Sequence, residues 1–572
     1  MATISRPLLA SAALLVVTAC ALGPVQPDRN ARAPELTGFG ALQVPVTTTV
    51  PAAQHWFDAG VRQAYAFNEV EAVRMFKAAL AQDPACAMCA WGVAWQLGPN
   101  INDTDRARVP EALRYIDLAL RHAGTATARE RALIDALALR YGHGSQAHTV
   151  RAMAPLLADR CGAKGEDEKA DPLDLAYAER LRTLVAASPD DAELLSLWAE
   201  AEMVATRADW WDEKTGKPTG HIGDVADALE RGRVLQPDHL GLNHYLIHAT
   251  DARGVAQRAV PAAERLGALA PASPHLVHMP SHTFVHVGRY ADAASVNEQA
   301  VAADLALAER QKAQGFDNSK DWRNHNQHFL WFAALMQGRG DAALQAAREV
   351  AGRAAQSAHV YGEYRRSLPL LALLRLQRWD ALLAEPVPAG KAGLAQALAQ
   401  QARGVALARL GRLAEAQAAL ALADAGALQL AIANASASGF DRTLRDMARA
   451  ATERLRAEVA SAEGRHDDAL AAQRRAVAAS LRADDSEPPM LAAGARVALG
   501  ALQLRAGRAA DAEATFREDL ALEPESGWAL QGLVQSLRAQ GRAEEARSLQ
   551  PRLDAAWPNA DVGLTEQKQA VL

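Results

Sequence analysis

Apolar residues recur at three- to four-residue spacing along most of the chain, in stretches such as "FNEVEAVRMFKAALAQDP" (Phe67 to Pro84), "GRYADAASVNEQAV" (Gly288 to Val301) and "GRAADAEATFREDL" (Gly507 to Leu520). This period predicts amphipathic helices, and the Gly or Asp-Pro between them predicts short turns. The phrase Gly-Arg-x-x-x-Ala begins at Gly288, Gly338, Gly411, Gly464, Gly507 and Gly541, the last two 34 residues apart. Each Gly stands where a helix ends and the chain turns left-handed, and the Ala five positions on lets the returning helix approach closely. Phe67 to Pro84 keeps the same rhythm without the Gly.

This period and these residue types resemble the tetratricopeptide (TPR) repeat. The resemblance implies an all-α, TPR-like superhelical solenoid of antiparallel helix pairs, whose first helices line the concave face. Spacings above 34, such as Gly288 to Gly338, imply degenerate repeats or insertions. The Pro- and Gly-rich "AEPVPAGKAGLAQ" (Ala384 to Gln396) reads as a linker. It divides the chain into an N-terminal array over 51–383 and a C-terminal array over 391–556, followed by a tail at 557–572.

Composition agrees: the chain of 572 residues is 50% apolar, with aromatics at 5%. The net charge is −6 and no long run of one sign could track phosphates, which argues against a nucleic-acid partner. There is no Gly-rich phosphate loop for a nucleotide, and neither HExxH nor GxSxG occurs.

At the N-terminus, Arg6 precedes an apolar run, Leu8 to Val17, that is too short to cross a bilayer and leads through "VVTAC" to Cys20. The segment fits a secretory signal and resembles a bacterial lipobox. That resemblance implies a signal peptide over 1–20, lipidation of Cys20, a flexible tether over 21–50, and an outer-membrane lipoprotein facing the periplasm. A plain secretory peptide or an uncleaved anchor are the alternatives. In an oxidising compartment Cys86 and Cys89 of "CAMCAW" form a possible local disulfide, being three residues apart near a helix start. No His follows Cys89, which argues against haem c attachment, and Cys161 is left unpaired.

Nine of the sixteen histidines lie between His239 and His328. His244 and His248 are four apart in "HLGLNHYLIHATD"; His278, His282 and His286 follow at the same spacing; His325 and His328 are three apart in "HNQHFLWFAALMQG". Each set shares one helical face. The second and third sets run into Gly288 and Gly338 and so belong to first helices, whose imidazoles can converge on one pocket. Neutral imidazole is a common ligand of Zn, Cu, Ni and Fe, and His at i, i+4 is a ready half-site. Alternatively the histidines form a polar core, bonded to one another, to Asn243, Asn324 and Asn326, and to carbonyls freed by Pro280. Pro280 either bends a helix begun at Ser273 or starts a new one, in which case His278 loses its i+4 relation to His282.

The blocks "CAMCAWGVAWQLGPNIN", "NHYLIHA", "HLVHMPSHTFVHVGRY" and "HNQHFLWFAALMQGR" together resemble a family of bacterial, often exported, TPR proteins, over roughly residues 55 to 380. Carried over by position, the family's histidines match His244, His248, His278, His282, His325 and His328. His286 departs from that pattern, where the family usually has Arg, and "GPNIND" departs after Asn102. "ADWWDEKTGKP" (Ala208 to Pro218) matches a block that could roof the site or pack as core. The family brings no established activity.

Two functions are open. The first expectation is a periplasm-facing scaffold binding a protein or peptide in its groove, with a His-rich transition-metal site there. The alternative is a metal-dependent hydrolase or oxidoreductase, or a metal carrier. In either case Asp251 or Asp304 could add a carboxylate ligand, and Met279 or Met336 a thioether for Cu(I).

Overall fold

A computed structural model describes residues 32–103, 106–143, 171–206, 210–212, 215–314, 322–433, 439–483, 487–490 and 494–561. Cys20, Cys161 and the signal region lie outside the described residues. Among the described residues every regular element is a helix, from Pro51–Tyr65 to Gln550–Ala556, and the one β-type pairing is an isolated Trp211–Pro218 bridge.

The fold follows from its turns. All six repeat glycines are left-handed, with φ of 77° at Gly288, 67° at Gly338, 74° at Gly411, 76° at Gly464, 73° at Gly507 and 78° at Gly541. Each reverses the chain, so that Trp322–Met336 packs on Gly340–Arg353 and Ala495–Arg505 on Ala509–Leu522. Helices two apart also touch, as Leu394–Arg409 does Gly439–Ala462, which is the neighbour-by-neighbour connectivity of a solenoid. Leu413–Ala433, long and apolar enough by composition to cross a membrane, is packed between these same two helices as a repeat helix.

One apolar core extends from Phe39 to Trp557 and includes Leu394, Ala397 and Leu398. Val360–Arg375 packs directly on Leu394–Arg409, so the Pro- and Gly-rich stretch between them is a connection within one solenoid and does not interrupt the core.

The superhelix winds far enough to bring its C-terminal part back onto the middle. Trp528 Nε1 donates to the Leu335 carbonyl at 2.8 Å, and Trp557 Nε1 to that of Met336 at 2.9 Å. Both carbonyls lie at a helix end, beyond the i to i+4 ladder, and that of Leu335 also accepts from Gly338 N at 3.1 Å. Part of the expected tail is docked too: the Asp561 carboxylate accepts from the Gly340 and Asp341 amides at 2.7 and 2.9 Å, capping their helix.

Residues 32–50, within the stretch read as a tether, are bonded to the body. Phe39 is buried, the Gly38 carbonyl accepts from Ala272 N at 2.9 Å, and Thr47 is held by the Glu130 carboxylate at 2.6 and 2.7 Å. The tether reading therefore does not extend to them.

Candidate metal centre

Three helices bring the histidines together: Leu240–Ala249, the bent run Pro274–His286, and Trp322–Met336. His239 caps the first, its ring accepting from Leu242 N at 3.2 Å, and Ser273 caps the second in the same way through Leu276 N. Pro280 splits the second into Pro274–His278 and Pro280–His286, but Met279 between them keeps helical angles (φ −49°, ψ −38°). The axis bends without breaking, and His278 and His282 stay on one face.

Two triads result. In the first, His244 Nε2 is 2.9 Å from His275 Nε2 and 3.1 Å from His248 Nε2, and all three rings are buried. Phe67 lies against them with ring centroids 4.6, 4.9 and 5.8 Å from His244, His275 and His248. Burial and the neighbouring imidazoles hold His244 and His275 well below the usual histidine range, and His248 is pushed down to about 3. These are neutral rings with their Nε2 atoms turned to one focus.

In the second triad, His278, His282 and His325 place ligating atoms within 4.8 Å of one another. His278 Nε2 and His282 Nε2 are 3.0 Å apart. His278 Nδ1 donates to Asn297 Oδ1 at 2.7 Å, and that amide is oriented by its own donation to the Ala293 carbonyl. His282 Nδ1 donates to Asp251 Oδ2 at 2.7 Å and lies 3.0 Å from Glu487 Oε2. With both Nδ1 protons committed, two Nε2 lone pairs would face each other at contact distance. Something positive must lie between them, either a proton or a metal ion.

The electrostatics supply the proton when no ion is bound. Burial disfavours an imidazolium at His282, but Asp251 and Glu487 outweigh it and push the ring up to about 10. Burial would likewise raise Asp251, yet His282 and His286, the latter 3.1 Å away, hold its carboxyl well below the usual range. A carboxylate behind a histidine in this way is the support that ligating histidines generally have. The nitrogen separations fit a shared ion: tetrahedral Zn–N bonds of ~2.0–2.1 Å put ligand nitrogens ~3.3 Å apart, a few tenths of an ångström from what is found. The triads adjoin, with ring centroids 6.4 Å apart for both His248–His282 and His275–His278.

Of the six expected histidines, His244, His248, His278, His282 and His325 converge. His328 does not join them: its Nε2 donates to the Tyr364 hydroxyl at 2.7 Å, and its ring stacks on Trp331. His275 takes its place, and its i, i+3, i+7 relation to His278 and His282 is a sequence signal that the four-residue spacing alone passes over. Glu487 and Asn297 carried no such signal. Asp251 stands behind His282, whereas Asp304 pairs with Arg323 at 2.6 Å. Met279 and Met336 are packed in the apolar core. Asn243 donates to backbone carbonyls of Pro237 and His239, and Asn324 accepts from Arg353. Trp211 donates to the Ala249 carbonyl, closing the helix end beside His248. Cys86 and Cys89 are joined in a disulfide.

No family model matches the chain, and no curated protein matches it. Among solved structures it is similar to the APC/C heterotetramer Cut9–Hcn1, with 12% identity, TM-score 0.23, and coverage of 90% of this chain and 95% of that one. It is also similar to the P58(IPK) TPR domain, with 10% identity, TM-score 0.21, and coverage of 86% and 99%. Likenesses this slight carry no argument here, and the fold rests on the helices and turns described above.

Proposed function

We propose that this protein is a transition-metal-binding solenoid holding Zn, Cu, Ni or Fe on its six-histidine strip, one ion at His244, His248 and His275 and one at His278, His282 and His325. The observation that carries this reading is the convergence of three imidazoles in each triad, with the His278 and His282 Nε2 atoms 3.0 Å apart around a proton that a metal ion would displace and each ring fixed from behind by Asn297 or Asp251. An all-imidazole set suits these borderline metals over Mg or Ca. The solenoid architecture supports a protein- or peptide-binding role around that site, and the sequence through Cys20 supports an anchored position at the bacterial envelope.

A metal-dependent hydrolase or oxidoreductase is the second reading. Glu487 favours it, a half-exposed carboxylate at the edge of the second triad where a proton could be exchanged with a substrate. Three ligands also leave a coordination position for water or substrate.

The test is elemental analysis of protein lacking residues 1–20, purified without chelator and then saturated with each metal in turn. Two ions per chain are expected, one being lost on His278→Ala with His325→Ala and the other on His244→Ala with His275→Ala, helical circular dichroism being retained. Failure of all four metals to bind would overturn the proposal and leave the strip as a polar core.

A further inference from the structure

A second cluster of unsatisfied groups lies far along the chain from the histidines. A small cavity opens among Val360–Arg375, Leu394–Arg409, Gly439–Ala462 and His466–Arg482, lined on its apolar side by Leu371, Leu374 and Ala450 and on its polar side by Arg375, Gln401 and Arg454. Arg375 is 8% exposed, its guanidinium lying over the Trp528 ring at 4.5 Å, and its Nε and Nη2 make no hydrogen bond. Arg454 Nε is buried and unbonded as well.

The surrounding charges do not account for these two cations. Glu458 favours the charged form of Arg454 from a distance, but it is bonded to Arg505 at 2.7 Å and lies 3.8 Å from Arg409. Asp519 and Glu523 favour the charged form of Arg375 from a distance, without bonding to its Nε or Nη2. Burial pushes Arg375 down to about 9, which leaves it cationic at neutral pH. A buried guanidinium with orphan donors is costly to keep, by several kcal/mol in typical cases. Such a pair facing one cavity is what an anion site looks like without its anion.

The cavity limits the anion. It has room for about two water-sized groups. That suits the two oxygens of a planar carboxylate, which guanidinium forks match in geometry, better than the four of a tetrahedral phosphate. The apolar wall suits the carbon chain behind it. We infer that this cavity is a carboxylate-binding site, in which Arg375 and Arg454 hold the two oxygens and the Gln401 amide stands beside them. It is built from other residues than the metal strip and does not depend on that reading. The carboxylate comes either from a small carboxylic acid or from a peptide.

Calorimetric titration of the full chain with acetate, with phosphate at matched ionic strength as the control, tests this. Acetate is expected to bind where phosphate does not, and Arg454→Gln to weaken it about tenfold or more, the scale of one lost charge-assisted bond. Arg454 is less buried as a residue than Arg375, so Arg454→Gln is the milder variant, and retained helical circular dichroism checks its fold. A short peptide with a free C-terminus that binds more tightly than acetate, beside a silent amidated twin, identifies a peptide ligand; equal affinity identifies a small acid. Equal heats from acetate and phosphate, or unchanged acetate binding in Arg454→Gln, would overturn the inference. His278→Ala, which tests the metal, is expected to leave acetate binding unaltered.

Discussion

Phe67 stacks on His275 with ring centroids 4.9 Å apart and planes 21° from parallel, while its own backbone holds φ at 50°. It occupies the turn position that glycine fills at Gly288 and Gly338, two residues before a helix begins. The left-handed conformation costs a side-chain-bearing residue ~1–2 kcal/mol, and here that strain accompanies a ring that covers three imidazoles. Phe67→Ala loses the ring and keeps the strain, so ~3–5 kcal/mol of destabilisation is expected. Phe67→Gly loses the same ring but relaxes the turn and should cost ~1 kcal/mol less. Urea unfolding of both variants measures the difference, and an equal loss would mean that the turn is not strained.

Asp251 stands behind the second triad, accepting from His282 Nδ1 at 2.7 Å. On the proposed metal-binding reading, Asp251→Asn should lower the affinity of the second triad for an ion ~10- to 100-fold while leaving the first triad unchanged. Competition against a chelator resolves the two sites. Equal weakening at both would show that the substitution disturbs the fold as a whole.

His328 contributes to acid sensitivity from outside the two triads. Burial and the nearby Arg365 push it down to about 3, below the ~6.5 of an unfolded histidine. Below pH ~6.5 the unfolded chain takes up a proton that the folded chain refuses, so stability falls with acid until the pH nears 3. The slope from one such group is up to ~1.4 kcal/mol per pH unit. His328→Gln, which can still donate to Tyr364, should flatten the fall between pH 6 and 4 by ~2 kcal/mol, read from urea midpoints across that range. A slope as steep as the parent's would place the acid sensitivity elsewhere.

Gly288 and Gly411 share a left-handed backbone but differ in their surroundings. A Cβ at Gly288 would collide with the Pro524 carbonyl oxygen, whereas one at Gly411 would meet nothing within 4 Å. Gly411→Ala should thus cost only the backbone term, ~1–2 kcal/mol. Gly288→Ala should cost more, because it also forces the C-terminal part off the middle of the solenoid, with a lower thermal midpoint. Equal costs would mean that this docking contributes little.

The repeat glycines made the helix pairs legible, because a left-handed turn between two amphipathic stretches leaves few other folds open. Five of the six expected histidines were legible for a related reason: spacing of three or four residues sets side chains on one helical face whatever the rest of the chain does. His328 shows the limit. It satisfies the same spacing, yet its helix turns that ring toward Tyr364, whose hydroxyl donates on to the Met490 carbonyl, and rotation about a helix axis is set by neighbours that no local pattern encodes. The Pro280 bend was a local question with two local answers, and packing chose the one that keeps His278 over His282.

What the sequence determined by itself is what depends on near neighbours in the chain: helical period, turn positions, which histidines share a face, and the reach of Cys86 to Cys89. What only the tertiary structure decided is everything that joins distant segments. Glu487 meets His282 from 205 residues away, Trp528 and Trp557 close on the helix that bears His325, and Arg375 and Arg454 share one cavity. The small rotation between successive repeats accumulates into the curvature that brings such residues together. That rotation is set by how each helix pair seats on the next, and so by side-chain packing that no single repeat contains.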